Sequence, residues 1–322
     1  MKKLTLPARQ RGVAVITALL LTTLAVTIVA SLFWAQQVQV RSMENQRLHL
    51  QTKWILRGAL DWAGLVLRQD ARDNDYTSLN QVWATPLAET RLDQYIERER
   101  VAGEVFDATL SGRIVDATSR YNLTNLAAQR TPTLVQVGIY RRLLTNLKLD
   151  PALAERTAIA VASAQVVVAG GEPLTEVGPK PVPKTNNAPV RLTQLDDLLT
   201  IPGYTVEVVN KLRDFVIVLP DVTTVNVNTA PPEVLAALID GFSLAEANAL
   251  VARRKSAAWL NIGQFSTELN GKSLVDKAGG VKSNYFLVYS RVRLDRAALD
   301  AEALINRDDA RKLTTLVWVR QN

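Results

Sequence analysis

The chain has no cysteine and only one histidine, His49, among its 322 residues. The first absence removes disulfides, thiolate metal sites and thiol nucleophiles together, and it suits a fold that persists in an oxidising compartment without bridges. The second excludes histidine-cluster metal centres, and His49 reads as a residue facing solvent or a partner. Also missing are the G-x-S-x-G, H-E-x-x-H and Walker patterns. The carboxylate pairs Asp196–Asp197 and Asp308–Asp309 are neighbours in sequence, explained by solvated turns or helix starts. The expectation is a protein that is not an enzyme.

Net charge of one sign is also scarce once it is divided up. The total is +7. Lys2, Lys3, Arg9 and Arg11 carry four of those charges within the first twelve residues, leaving +3 for the remainder. That is a mild bias and a poor basis for a nucleic-acid surface. With 48% hydrophobic and 21% charged residues the chain has a globular composition, long enough for two folded units.

What is present is a long uncharged run. Val13–Ala35 contains no ionisable side chain, and as a helix it would reach about 34 Å, enough for a bilayer core of roughly 30 Å. Twelve of its residues are Leu, Ile, Val or Phe. They favour insertion by about 4–7 kcal/mol before four threonines are set against them. The run is too long for a secretory signal and ends in Phe33-Trp34-Ala35-Gln36, with a bulky aromatic where a signal peptidase needs a small residue. Positive residues on its N-terminal side predict a cytoplasmic N-terminus, although Arg41, Arg47, Lys53 and Arg57 weaken the contrast.

The junction Arg11-Gly12-Val13 resembles the leader of type IV prepilins and pseudopilins. The resemblance implies cutting by a prepilin peptidase between Gly12 and Val13, on the cytoplasmic side, and methylation of the new N-terminus. Most members carry glutamate as the fifth residue after the cut; here that residue is Thr17. A carboxylate within a bilayer is costly and normally functional. The K-type minor pseudopilin of type II secretion is the member that typically lacks it.

Beyond the membrane run, Leu48, Ile55, Ala59, Trp62 and Val66 draw an apolar stripe on a continuing helix. Asp73-Asn74-Asp75 should end it, as a solvated turn or, less simply, a calcium-binding triplet. "EVFDATLSGRIVDA" (104–117) reads as two short strands around a turn at Ser111-Gly112. Thr131-Pro132 and Asp150-Pro151 start helices over 132–148 and 151–169. Prolines and glycines from 170 to 189 predict an extended loop. Thr193 with Asp196, and Ser243 with Glu246, look like capping pairs. The second pair starts the later helix of a helix–turn–helix at 226–254. Strands return at 284–294, 302–307 and 312–320.

The resulting fold class is α+β: a pilin-like fold whose long N-terminal helix packs on an antiparallel sheet, with an all-helical domain inserted. The expected division is a prepilin leader over 1–12 and a transmembrane helix over 13–35. The helix continuation and first strands would take 36–125, the inserted domain 126–283 and the C-terminal strands 284–322. "VNVNTAPPEVLAAL" and "DATSRYNLTNL" are similar to internal signatures of the K-type pseudopilins. That resemblance implies a non-enzymatic subunit of the type II secretion pseudopilus, at its tip, supporting export across the outer membrane. It also implies I-type and J-type minor pseudopilins, the major pseudopilin and the prepilin peptidase as partners. The location would be the inner membrane, with the bulk of the chain in the periplasm. Calcium is a cofactor of that family, but the corresponding stretch here has only Glu172 and Glu176, so no ligand set is transferred.

One alternative stays open. Residues 226–254 also resemble the helix-hairpin-helix of competence DNA receptors, with the hairpin at Ile239–Ser243 and Arg253, Arg254 and Lys255 behind it. Asp240 opposes that reading, because it puts negative charge where a phosphate would lie.

Overall fold

The computed structural model describes residues 11–93, 107–165 and 191–321. Most of the leader reading, the proline-rich stretch 170–189, Glu172 and Glu176 lie outside them, as does the start of the strand stretch at 104–106.

Helix α1, Arg11–Asp73, is 63 residues long and therefore about 94 Å. It ends where the Asp73-Asn74-Asp75 triplet begins. Its buried positions outside the membrane run are Thr52, Leu56, Leu60, Ala63, Gly64, Leu67, Asp70 and Ala71. Their spacing of three and four marks one face. The stripe expected from sequence is rotated from this face: Ile55, Ala59 and Val66 flank it half-buried, and Trp62 is exposed. The reason is that apolar residues cover more than half the helix circumference, so periodicity alone cannot choose the centre. Thr52, which looked polar, fits the buried line by donating to the Leu48 carbonyl at 2.6 Å.

Five strands make the main sheet: β1 (Leu87–Arg91), β2 (Ala108–Asp116), β3 (Tyr285–Leu294), β4 (Ala297–Asp308) and β5 (Leu313–Gln321). They lie in that order, each antiparallel to the next. The two strands expected around Ser111-Gly112 are one continuous strand. Gly112 is not a turn there: it pairs with Ser290, and a Cβ on it would sit 2.5 Å from the Tyr289 carbonyl oxygen. Glycine serves close backbone approach in this strand.

Strand β3 alternates into two cores. Phe286, Val288 and Val292 face α1, packing with Leu56, Leu60, Ala63, Leu67 and Trp83. Tyr285 and Leu287 face the other way, onto Ala117, Ile217, Leu219 and Leu304. Each fully buried side chain of this size contributes about 1.5–3 kcal/mol of transfer free energy. The sheet thus has the anchor helix on one face and part of a helical body on the other.

That body is the excursion between Asp116 and Tyr285. It contains α2 (Leu134–Asn146), α3 (Leu153–Ala164), α4 (Val206–Leu212), α5 (Pro232–Leu238), α6 (Leu244–Ser256) and α7 (Ile262–Thr267). The expected starts at Pro132 and Pro151 fall two residues early. Pro132 belongs instead to a short strand pair with Ala127. Ser243 and Glu246 do form a capping box on α6. The pair expected at Thr193 and Asp196 is displaced by one residue. Gln194 and Asp197 cap a 3-10 helix over Leu195–Thr200, while Asp196 pairs with Arg213. Thr193 still contributes, donating its N–H to Asp197 at 2.7 Å. Desolvation raises the Asp197 pKa, but N–H donors from Thr193 and Gln194 outweigh it and the net direction is down.

Candidate functional site: the anchor face and the buried junction

The N-terminal part of α1 is long and apolar enough to cross a membrane, and among the described residues nothing covers that span. Its hydroxyls are made compatible with lipid locally. Thr17 donates to the Val13 or Ala14 carbonyl, each at 3.0 Å, and Thr22, Thr23, Thr27 and Ser31 bond back in the same way. With each hydroxyl hydrogen already used, the penalty for burying these groups in hydrocarbon falls. Gly12 and Val13 lie on the first turn of the helix backbone. His49 is exposed on the same helix.

Where the chain leaves and re-enters the sheet, a buried polar network joins segments far apart in sequence. Asp116, 1% exposed, is its centre. One carboxylate oxygen accepts from the Thr118 N–H at 2.8 Å and lies 2.8 Å from the Thr118 hydroxyl. The other accepts from Ser283 at 2.5 Å, Thr229 at 2.6 Å and Asn226 at 2.9 Å. Among the described residues none of these partners is a cation, so neutral donors alone compensate for burial of the charge.

The two sequence signatures meet here. Asn226 lies 110 residues from Asp116, yet its amide reaches Asp116, Ser283 and the Thr77 carbonyl. Asn228 donates to the Trp259 carbonyl and accepts from the Trp259 N–H, both at 2.9 Å. Asn122 and Asn125 of "YNLTNL" likewise bracket the backbone at Leu219, Asp221 and Thr223. A neighbouring ion pair ties in α1: Arg307 on β4 meets Asp70 at 2.8 Å, both buried, and also donates to Thr77 and the Ser283 carbonyl. Burial pushes the Asp70 carboxyl up, with Arg307 opposing it. Sequence reading quoted both signatures but did not bring Asp116, Asn226, Thr229 and Ser283 together. Nothing local marks a pairing across so many residues.

In the alternative DNA reading, two of the three basic residues behind the hairpin are committed elsewhere. Arg254 is buried and donates to the Val227 and Ala230 carbonyls at 2.8 and 2.6 Å; burial lowers its pKa to about 10. Arg253 faces Glu268 at 3.6 Å. At the hairpin, Gly241 has φ +65°, and its carbonyl accepts from Lys272 at 2.7 Å. Lys272 also holds Glu246, which together with the Ser243 donors brings that carboxyl down to about 2. Asp240 remains exposed opposite Arg142.

Among the described residues no group of three or more acidic or histidine side chains could hold a metal ion. At the end of α1, Asp73 accepts from Gln69, Asn74 donates to Asp70, and Asp75 lies 3.4 Å from Lys282.

A helix long and apolar enough to cross a membrane, laid on an antiparallel meander with a helical body inserted between the second and third strands, has the pilin-like architecture of the pseudopilin class. Two models of type II secretion system protein K match residues 119–221 and 225–285, together about half the chain. Type II secretion system protein K of Pectobacterium carotovorum subsp. carotovorum is 27% identical over 320 residues, covering 93% of each chain. That of Pseudomonas aeruginosa is 29% identical over 302 residues, covering 88% of this chain and 85% of its own. The fold matches a chain in the crystal structure of the GspK-GspI-GspJ complex from enterotoxigenic Escherichia coli. There the TM-score is 0.65 at 18% identity, covering 87% of this chain and 99% of that one. The chain belongs to the type II secretion system protein K family.

Proposed function

We propose that this chain is a non-enzymatic minor pseudopilin that sits at the tip of the type II secretion pseudopilus and supports protein export across the outer membrane. The observation that carries the reading is the uncovered apolar part of α1, joined to a globular part in which Asp116, Asn226 and Arg254 are used internally. Such a molecule offers surfaces for assembly. A relative of the same fold is found in a complex with GspI and GspJ, which supports I-type and J-type minor pseudopilins as partners here. The major pseudopilin and the prepilin peptidase follow from the same reading. The tip position has a steric basis, because a helical body of this size beside the sheet would clash inside a tightly stacked shaft.

The topology proposed is a cytoplasmic N-terminus and a periplasmic body, from the cations before Val13. Residues 1–12 would be the leader and 13–35 the membrane span. The pilin-like portions would be 36–125 and 284–322, around an inserted domain at 126–283. Gly12 and Val13 would flank the processing site. Thr17, whose hydroxyl is spent on its own helix, would enter the filament without the charge most subunits carry. Pull-down of tagged I-type and J-type pseudopilins by the full chain from detergent-solubilised membranes tests the assignment. Retention of both is expected, and loss of both under conditions that preserve the fold would overturn it.

A further inference from the structure

The helical body covers only one end of the sheet face that lies away from α1, where Tyr285 and Leu287 are buried. Past that end, strand alternation lines up Arg113, Tyr289, Glu302 and Arg320, each opposite the next across β2, β3, β4 and β5. Between this row and the body lies a cleft of about 290 Å³, with the buried Leu287, Val216 and Ile217 in its floor. Arg120, half-buried where the chain enters the body, and Arg320 both line it. The arginines of this region divide into two groups. Arg291 is held by Asp300 at 2.6 Å, Arg293 lies 3.9 Å from Glu89, and Arg213 on the far wall pairs with Asp196. Arg113, Arg120 and Arg320 form no ion pair among the described residues.

Aromatic rings hold two of these cations in place. Arg113 lies over the Tyr289 ring at 5.0 Å and Arg320 over the Trp318 ring at 4.2 Å, and Arg320 also donates to the Thr193 carbonyl at 3.2 Å. A guanidinium so placed is fixed in position, while most of its five N–H donors stay unused. We propose that the cleft binds a carboxylate carried on an extended segment of another polypeptide. Arg120 and Arg320 would donate to it, and the Leu287 floor would take the aliphatic part of the segment. The planar two-oxygen group of a carboxylate matches the guanidinium fork. Charge balance selects against larger anions. Arg120, Arg213 and Arg320 in the lining are offset by Asp196, Asp214 and Glu302, so nucleic acid would meet as many acids as bases. A single carboxylate placed at the two unpaired arginines avoids the pair on the far wall. Because α1 lies on the opposite face of the sheet, a segment held here leaves that helix free. The site stands on its own geometry and goes beyond the pseudopilin reading.

The test uses the full chain in detergent micelles, with fluorotryptophan at its six tryptophans and the Trp318 resonance assigned from Trp318→Phe. Titration with the peptide acetyl-Val-Glu-Val-amide should shift that fluorine resonance saturably. The twin peptide with Gln in place of Glu should bind weaker by roughly tenfold or more, as expected when hydrogen bonds to a charged group are lost. Arg120→Gln and Arg320→Gln should each weaken the Glu peptide by a similar factor, at an unchanged melting temperature. Arg291→Gln, whose cation already has a carboxylate, should leave binding as it was. Arg120→Glu should prefer the Lys twin, which shows that a variant unable to hold the anion still has its cleft. Equal affinity for the Glu and Gln peptides, or no saturable shift with either, overturns the site. Acetate or inorganic phosphate binding as tightly as the Glu peptide overturns the polypeptide ligand and leaves a site for free anions. Recovery of I-type and J-type subunits is a separate measurement, so the cleft and the assembly role fail independently.

Discussion

Asp116 is 1% exposed and is bonded to four residues of the chain. A charge almost fully shielded from water is held by Thr118, Ser283, Thr229 and Asn226, all donors. Asp116→Asn would place an amide N–H₂ against one of those donors and leave two groups unsatisfied. The expected loss is about 3 kcal/mol, read as a lower urea midpoint with unchanged slope. Glu246 supplies a pH-dependent counterpart. Its pKa falls from 4.5 to about 2 in the fold because Lys272 and Ser243 bind the charged form. A carboxyl depressed in this direction stabilises above its unfolded value and loses that contribution as pH drops through the folded one. Stability should therefore decline between pH 4.5 and about 2, and Glu246→Gln should flatten that part of the curve in chemical unfolding. Arg254 shows why a basic cluster is a weak sequence signal: its charge serves two backbone carbonyls inside the body.

Among the elements, the long helix and the three final strands were legible from their period, although the middle strand, expected over 302–307, begins five residues earlier at Ala297. The α5–α6 pair was legible as well, its second helix from the Ser243–Glu246 box. Strand β1 was missed, since "LAETR" has neither β-branched alternation nor a long run, and it exists because β2 offers it an edge. Gly112 misled for a related reason. Serine followed by glycine signals a turn only if nothing approaches the glycine, and here the Tyr289 carbonyl does. Gly112→Ala should cost about 1–3 kcal/mol, as overpacking does, and should loosen amide protection along β2 and β3. The centre of the α1 stripe was also beyond the sequence. Trp62 and Val66 are as apolar as Leu60 and Leu67, and only the position of the sheet decides which pair is covered.

At the scale of the whole molecule, the long apolar run was readable from composition and the helical body from the order of strands, helices and strands along the chain. The junction was not, because it is made of residues whose only common feature is their meeting place. In cells that contain the peptidase, mass spectrometry should find an N-terminus at Val13, and an intact Met1 would exclude processing. A soluble fragment from about residue 45 should show no salt-sensitive DNA shift. A shift that follows counter-ion release would instead revive the hairpin reading of Ile239–Ser243.

The two crossings between sheet and helical body have a mechanical consequence. Asp116 and Phe286 are paired across β2 and β3, so the chain departs and returns side by side. Because β2 and β3 are antiparallel, the end of one and the start of the other lie at the same edge of the sheet, and both crossings can be fixed at one place. The Asp116 cluster sits across that joint like a rivet, so a displacement of the sheet carries the helical body with it.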